Sequence, residues 1–281
     1  MEFVKMHGLG NDFIIAREGQ ADLPAEKYAE AARRLCAPHW GIGADGLVLI
    51  GPDPEYDLRM RIFNADGSEA EMCGNAIRCV AKYAWEAGLC QKLHLRIGTL
   101  GGPRDTTLLI EGNQVTGVRV DMGRPVLAAE KIPVRWPESP VVRGKLTVTG
   151  EEFTFTAVSM GNPHCVILVE DAAAFPVKQW GPLIEAHPLF PAKTNVEFVT
   201  VVDPRRVIMR VWERGVGETL ACGTGACATA VACVLEGLTE RRVTVQLAGG
   251  DLLIDWPAGD GQVYMTGGAT LVFTGRMAIN W

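Results

Sequence analysis

Met60-Arg61-Ile62-Phe63-Asn64-Ala65-Asp66-Gly67-Ser68-Glu69-Ala70-Glu71-Met72-Cys73-Gly74-Asn75-Ala76 returns later in the chain as Met209-Arg210-Val211-Trp212-Glu213-Arg214-Gly215-Val216-Gly217-Glu218-Thr219-Leu220-Ala221-Cys222-Gly223-Thr224-Gly225. Met60 and Met209, Asn64 and Glu213, Glu69 and Glu218, and Cys73 and Cys222 all stand 149 positions apart. Each copy reads Met-Arg, a β-branched residue, an aromatic, and then Glu four residues before Cys-Gly. Gly88-Leu89 and Gly237-Leu238 keep the register, Gly101-Gly102 echoes Gly249-Gly250, and Gly10-Asn11 before Phe13 to Ala16 resembles Gly161-Asn162 before Cys165 to Leu168. A period this long indicates two similar domains rather than a solenoid, whose units are several times shorter.

Chain length agrees, because 281 residues exceed the size at which one core usually stops growing. The expected division is residues 1–122 plus 269–281, carrying Cys73, and residues 123–268, carrying Cys222. A net charge of −6, a pI near 5.5 and no basic tail give no reason to expect nucleic acid or an anionic membrane as partner. Met1 to His7 reads as a strand and lacks the layout of a signal peptide, and no apolar run is long enough to span a bilayer. A cytoplasmic protein is expected. In a reducing compartment most of the eight cysteines should be thiols buried as small hydrophobes. With no C-x-x-C or H-x-x-x-H spacing, no metal site is expected.

Strands are expected at 3–6, 13–16, 47–50, 58–63, 93–97, 106–110, 114–120, 243–247, 251–254, 263–265 and 269–273, with further candidates at 132–135 and 145–148. Residues 25–36 have helical spacing, with Tyr28, Ala31, Ala32 and Leu35 on one face. Two further helices, 75–86 and 226–235, each follow a Cys-Gly pair. The first is apolar nearly all round and the second has no charged residue, so each must be enclosed in a core. Many short strands with one such helix per half predict an α+β protein of two pseudo-symmetric domains, each a curved, mostly antiparallel β-barrel around a central helix. The last strand follows the second repeat and is expected to return to the first domain. Gly41-Ile42-Gly43-Ala44-Asp45-Gly46 matches G-x-G-x-x-G but lies between helix and strand, the reverse of the dinucleotide-binding order, and reads as a turn.

Cys73 and Cys222 each open a buried helix, where unpaired backbone N–H groups lower a thiol's pKa and can hold a carboxylate. With a pseudo-two-fold axis between domains, the two thiols would flank one substrate. Acid/base groups on opposite faces of one carbon are what inversion of a stereocentre requires: a thiolate removes the α-proton and the opposing thiol delivers another. The carbanion is very basic, so such a site must exclude water and supply fixed dipoles. No pyridoxal-phosphate lysine context is recognisable, which favours chemistry without a cofactor.

These residues resemble the diaminopimelate epimerase family over essentially the whole chain. The resemblance is carried by Lys5 to Phe13, Phe63 to Glu69 before Cys73-Gly74-Asn75, Met160-Gly161-Asn162-Pro163-His164-Cys165, and Glu213-Arg214-Gly215 through Glu218 to Ala221-Cys222-Gly223. It implies interconversion of LL- and meso-diaminopimelate in lysine and peptidoglycan-precursor biosynthesis, without cofactor, by a thiol/thiolate pair in a homodimer. Residue by residue, it implies Cys73 and Cys222 as the acid/base pair. Asn11, Asn64, Asn162, Asn195, Glu213 and Arg214 are implied as substrate contacts, with Arg214 and the asparagines at the distal end. Backbone groups of Gly74-Asn75 and Gly223-Thr224 would bind the carboxylate at the reacting carbon, and His164 and Glu213 would adjust the cysteines' pKa values. Some members carry Gln where this chain has Gly46, so one distal contact is in question. The same architecture resembles proline racemases, which share the two-cysteine logic, and the phenazine-biosynthesis isomerases, which lack the pair.

Two other classes compete. Gly223-Thr224-Gly225-Ala226-Cys227-Ala228 fits G-x-G-x-x-A after a strand-like run, but the strand that should end in an acidic residue ends in Ala248-Gly249-Gly250. A redox or binding protein with a reversible Cys73–Cys222 disulfide would lose its redox response, and no isomerase activity, on Cys-to-Ser substitution. Read alone, Asn11, Asn64 and Asn162 are turn residues, Arg214 a surface cation, and His164 a satisfied polar residue at a strand end. Cys79, Cys227 and Cys233 read as packing residues, and Glu69 and Glu218 as supports of their loops.

Overall fold

Both Cys-Gly pairs open helices of 13 residues, and each helix is the centre around which half of the chain is built. The computed structural model describes residues 1–19 and 23–278, so the last residue of the expected first domain, 281, lies outside the described residues. It divides into two compact units, Met1–Val120 with the stretch from Thr266 onward, and Asp121–Met265.

Unit 1 runs β1 (Glu2–Gly8), β2 (Asn11–Arg17), α1 (Tyr28–Cys36), β3 (Gly46–Gly51), β4 (Leu58–Asn64), β5 (Glu69–Ala70), α2 (Gly74–Glu86), β6 (His94–Gly98), β7 (Arg104–Glu111) and β8 (Gln114–Asp121). Unit 2 runs β9 (Gly144–Val148), β10 (Glu151–Ser159), β11 (Pro163–Leu168), α3 (Val177–Glu185), β12 (Asn195–Asp203), β13 (Arg206–Glu213), β14 (Gly217–Thr219), α4 (Gly223–Leu235), β15 (Arg242–Leu247) and β16 (Gly250–Asp255). After β17 (Tyr264–Gly267), β18 (Thr270–Arg276) pairs antiparallel with β1.

The pairing scheme is the same in both units. Parallel pairs β2–β3 and β11–β12 are joined through α1 and α3, and parallel pairs β4–β6 and β13–β15 through α2 and α4. A parallel pair needs such a crossover, whereas the antiparallel pairs β1–β2, β3–β4, β6–β7, β10–β11, β12–β13 and β15–β16 need only tight turns. The result is an α+β fold of curved, mostly antiparallel sheets around buried helices.

Burial follows composition. Gly225 through Cys233 of α4 are all buried, as a helix without a polar face requires. In α2 the enclosed face also holds Arg78, fully buried, whose Nη1 donates to the Gly74 carbonyl at 2.9 Å and whose Nε donates to the Gly268 carbonyl at 3.2 Å. Gly8 is glycine for that reason: a Cβ there would lie 2.9 Å from Arg78 Nη2. Helix α1 buries Tyr28, Ala31, Ala32 and Leu35. Burial of each large apolar side chain contributes roughly 1.5–3 kcal/mol.

The Gly41–Gly46 segment caps α1. The N–H groups of Ile42 and Gly43 donate to the Leu35 carbonyl and that of Ala44 to the Cys36 carbonyl, so they are committed and not presented to a phosphate. One expectation fails: residues 132–135 form no strand. Pro133 has no N–H, and the N–H groups of Ile132 and Val134 turn back to the carbonyls of Ala128 and Ala129. Helix α3, which carries Pro182 inside it, was not expected. No described helix is long and apolar enough to cross a membrane.

Candidate active site

In unit 1, Cys73 is the N-cap of α2, in extended conformation at φ −138° and ψ 119°. The strand-like backbone ends there and the helix begins one residue later, which places the sulfur beside the helix's unpaired N–H groups. Asn11, the first residue of β2, presents its side-chain oxygen 3.8 Å from Cys73 Sγ and accepts from Asn75 Nδ2 at 3.1 Å. Its amide nitrogen donates to Asp45 at 2.6 Å, and Asp45 also accepts from the Asp12 backbone N–H at 2.9 Å. Behind this pair, Lys5 is almost fully buried, meets Asp12 at 2.7 Å and also donates to the Gly43 carbonyl. Asp45 was not among the expected site residues, yet it determines which end of the Asn11 amide faces the sulfur.

Asn75 is buried and its side-chain oxygen has no hydrogen-bond partner in the structure, so an acceptor stands beside the first turn of α2 with its demand unmet. Asn64, at the end of β4, donates to the Ser68 hydroxyl at 3.0 Å within the turn that leads to Cys73. Gly46 opens β3 opposite Phe13 and Asn64. A Cβ at Gly46 would come within 3.0 Å of the Phe63 carbonyl oxygen, so a larger residue there needs the adjoining strand to yield.

In unit 2, Cys222 is the N-cap of α4, at φ −124° and ψ 111°, and its sulfur accepts from the Gly225 N–H at 3.4 Å. The Thr224 hydroxyl lies 3.5 Å from the same sulfur and accepts from Asn162 Nδ2 at 3.3 Å. Asn162 Oδ1 is 3.0 Å from His164 Nε2, and His164 Nδ1 is 2.7 Å from Glu197 Oε1. His164 and Glu197 are both fully buried. Glu197 was not anticipated. It stands alone in the apolar strand sequence Asn195-Val196-Glu197-Phe198-Val199, and a lone acid at an inward strand position is the signal that could have marked it.

Glu213, at the end of β13, accepts from the Thr219 hydroxyl. Burial pushes its carboxyl above the usual carboxylate range; hydrogen bonds from Thr219 and the Cys222 thiol and the nearby His164 act in the other direction. At Cys222 the helix N-terminus acts on the thiol in the expected direction through the Gly225 N–H, and burial outweighs it. Burial pushes that thiol well up, the carboxylates of Glu213 and Glu197 push it further, and Thr224 and the Gly225 N–H offset only part.

Asn195 and Arg214 are joined differently. Asn195 donates to the Pro163 carbonyl at 2.8 Å and accepts from the Arg214 backbone N–H at 2.9 Å, so its amide ties the ends of β11, β12 and β13 together. Arg214 itself is exposed and donates to the Ala192 carbonyl at 3.1 Å. Glu69 and Glu218 support the two cysteine loops as expected: each grips the arginine eight residues before it, Arg61 at 2.7 and 3.0 Å and Arg210 at 2.9 Å. Among the described residues no group of His, Cys, Asp and Glu could hold a metal ion.

A family model described as diaminopimelate epimerase matches residues 3–128 and 156–272. A diaminopimelate epimerase of Desulfitobacterium hafniense is 57% identical over 98% of this chain and 97% of its own length. One of Moorella thermoacetica is 54% identical over the full length of both chains. Among solved structures, a probable proline racemase of Agrobacterium radiobacter aligns at a TM-score of 0.72 with 16% identity, covering 99% of this chain and 93% of the other. A phenazine biosynthesis protein of Bacillus anthracis aligns at 0.72 with 17% identity, covering 99% of both. At that identity the structures speak for the fold alone.

Proposed function

Since this chain belongs to the diaminopimelate epimerase family, we propose that it interconverts LL- and meso-diaminopimelate with Cys73 and Cys222 as its two acid/base groups. The observation that carries the reading is the placement of one cysteine from each unit at the N-cap of a buried helix. A group bearing a carboxylate on its reacting carbon fits the N–H groups of Gly74-Asn75 and Gly223-Thr224, which point toward the start of each helix.

One sulfur, as thiolate, takes the α-proton and leaves the electron pair on carbon. The other, as thiol, gives its proton to the opposite face, and the two sulfurs end with their protonation states exchanged. No electrons leave the system and no cofactor is called for. Thr224 and Gly225 on Cys222, and Asn11 on Cys73, hold the sulfurs in direction, which matters because proton transfer needs donor and acceptor within hydrogen-bond reach. Asn64, Asn162, Asn195, Glu213 and Arg214 are assigned to the substrate's remaining polar groups, and His164 and Glu213 to setting the charge state of Cys222.

We also infer a cytoplasmic homodimer. Strand β18 supports the oligomeric part, because Leu271, Val272 and Phe273 are all exposed on it. Phe273→Glu is expected to shift the sedimentation coefficient toward that of the monomer, and an unchanged coefficient removes β18 from the interface.

The function is tested by proton NMR of LL-diaminopimelate in deuterated water with reduced protein and nothing else added. Loss of the α-proton signal with appearance of the meso isomer is expected. No exchange with the thiols verified as reduced moves the substrate to another amino acid.

A further inference from the structure

Unit 2 departs from unit 1 at one buried spot. In unit 1 the β2–β3 register sets Phe13 opposite Gly46 and Ile15 opposite Val48. In unit 2 the β11–β12 register sets His164 opposite Asn195 and Val166 opposite Glu197. Position for position, Phe13 and Val48 are replaced by His164 and Glu197, and all four are buried. An imidazole and a carboxylate in place of two hydrocarbons must be desolvated, and the same strand pair folds in unit 1 without them. The pair is therefore not a requirement of the fold.

Two further observations tie Glu197 to Cys222. From Glu197 a run of close polar contacts leads through His164 at 2.7 Å, Asn162 at 3.0 Å and the Thr224 hydroxyl at 3.3 Å to the Cys222 sulfur at 3.5 Å. Glu197 also presses on the first turn of α4: a Cβ at Gly225 would sit 2.8 Å from Glu197 Oε1 and 3.2 Å from Cys222 Sγ. Its second oxygen, Oε2, is buried with no hydrogen-bond partner in the structure. A carboxylate kept buried with one oxygen unsatisfied is an expensive group to retain for packing alone.

We propose that Glu197 is a positioning residue for proton transfer at Cys222: it holds the His164 ring, which holds the Asn162 amide, which directs the Thr224 hydroxyl at the sulfur. The proposal rests on the reading of Cys222 as an acid/base group. An imidazole alone between strands can flip end over end and exchange ring nitrogen for carbon. A carboxylate 2.7 Å from Nδ1 selects one orientation of the ring. The ionisable groups facing this network are Glu197 on β12, Glu213 on β13, and Cys222 at the start of α4, with Cys165 of β11 beside Glu197. Unit 1 has no counterpart, so the effect is confined to one of the two sulfurs.

The test uses Glu197→Val, which installs the residue the twin strand already accommodates, and Glu197→Gln, which keeps the shape and an acceptor oxygen but removes the charge. On the full reduced protein, kcat and KM are measured together with the pH dependence of alkylation of Cys73 and Cys222, resolved by peptide mass. Glu197→Val is expected to lose about a hundredfold in kcat with KM within about twofold, with a changed alkylation profile at Cys222 and an unchanged one at Cys73. Glu197→Gln should fall between it and the native protein, and it decides the matter alone if the valine variant does not fold. Native kcat and an unchanged Cys222 profile in these variants, with Cys222→Ala inactive, overturn the positioning role and leave the two-thiol reading standing. An active Cys222→Ala overturns the two-thiol reading, and the proposal resting on it, while the alkylation profiles separately report whether Glu197 is coupled to that sulfur.

Discussion

The side-chain oxygen of Asn11 faces the sulfur of Cys73 at 3.8 Å. Two contacts fix that orientation: the nitrogen of the same amide donates to Asp45 at 2.6 Å, and the oxygen accepts from Asn75 Nδ2 at 3.1 Å. An acceptor aimed at sulfur fixes the direction of an S–H bond. Asp45→Ala is expected to leave the amide held by Asn75 alone and to lower kcat about tenfold while KM changes less. Steady-state kinetics in both directions check this, and a native kcat would show that Asn11 needs no such anchor.

Cys73→Ala and Cys222→Ala should each reduce epimerisation by roughly 10²–10⁴-fold or more, the range over which positioned acid/base groups act. Both sulfurs sit at N-caps where extended backbone leads into helix, so alanine leaves the backbone unperturbed. Circular dichroism should be unchanged, and full activity in either variant ends the two-base reading.

Thiol reactivity should divide the cysteines. Burial pushes Cys36, Cys79 and Cys233 up to about 12, and Cys222 is also raised well above the ordinary thiol value. The thiolate is the nucleophile, so iodoacetamide at pH 8 should modify Cys222 far more slowly in the native protein than in urea. A rate at native Cys222 matching that of the unfolded chain contradicts the environment described.

The raised carboxyl of Glu213 makes a prediction about stability. A carboxyl whose folded pKa exceeds its unfolded value of about 4.3 binds its proton more tightly in the folded state. Its contribution is most favourable below pH 4 and declines as pH rises through the interval between the two values. Glu213→Gln removes that decline, so the variant should gain stability relative to the native protein at pH 7 and match it below pH 4. Urea unfolding at the two pH values checks the sign, even though activity falls.

The two loop braces should differ in strength. Arg210 and Glu218 are 26% and 19% exposed, and Arg210 also donates to the carbonyls of Ala173 and Phe175 at 2.9 and 2.8 Å. Arg61 and Glu69 are 31% and 27% exposed, and the guanidinium lies 5.2 and 5.0 Å from the ring centroids of Tyr28 and Phe63. Glu218→Ala is expected to cost about 1–2 kcal/mol and Glu69→Ala about 1 kcal/mol or less, measured by urea unfolding at pH 7. Equal losses would show that the extra carbonyl contacts of Arg210 add nothing.

The sequence by itself determined the repeat, one helix with clear periodicity and two apolar ones, most of the strands and the cysteines at the helix starts. These are legible because helical and strand periods are local and because two copies of one loop can be compared without knowing where either lies. What only the tertiary structure decided is non-local. Helix α3 was hidden because Gly181 and Pro182 interrupt its middle, and it forms as the crossover demanded by the parallel β11–β12 pair. Residues 132–135 have the apolar content of a strand but no partner that could use Pro133. That the Asn195 amide also joins the Pro163 carbonyl to the Arg214 N–H is visible only in the fold. Glu197 lies in no motif, and Asp45 fills only an unspecified position of the Gly41–Gly46 turn. Their meaning comes from what burial brings against them, an amide in one case and an imidazole in the other, and the partners of a buried polar group are chosen by packing across strands that one-dimensional spacing does not record.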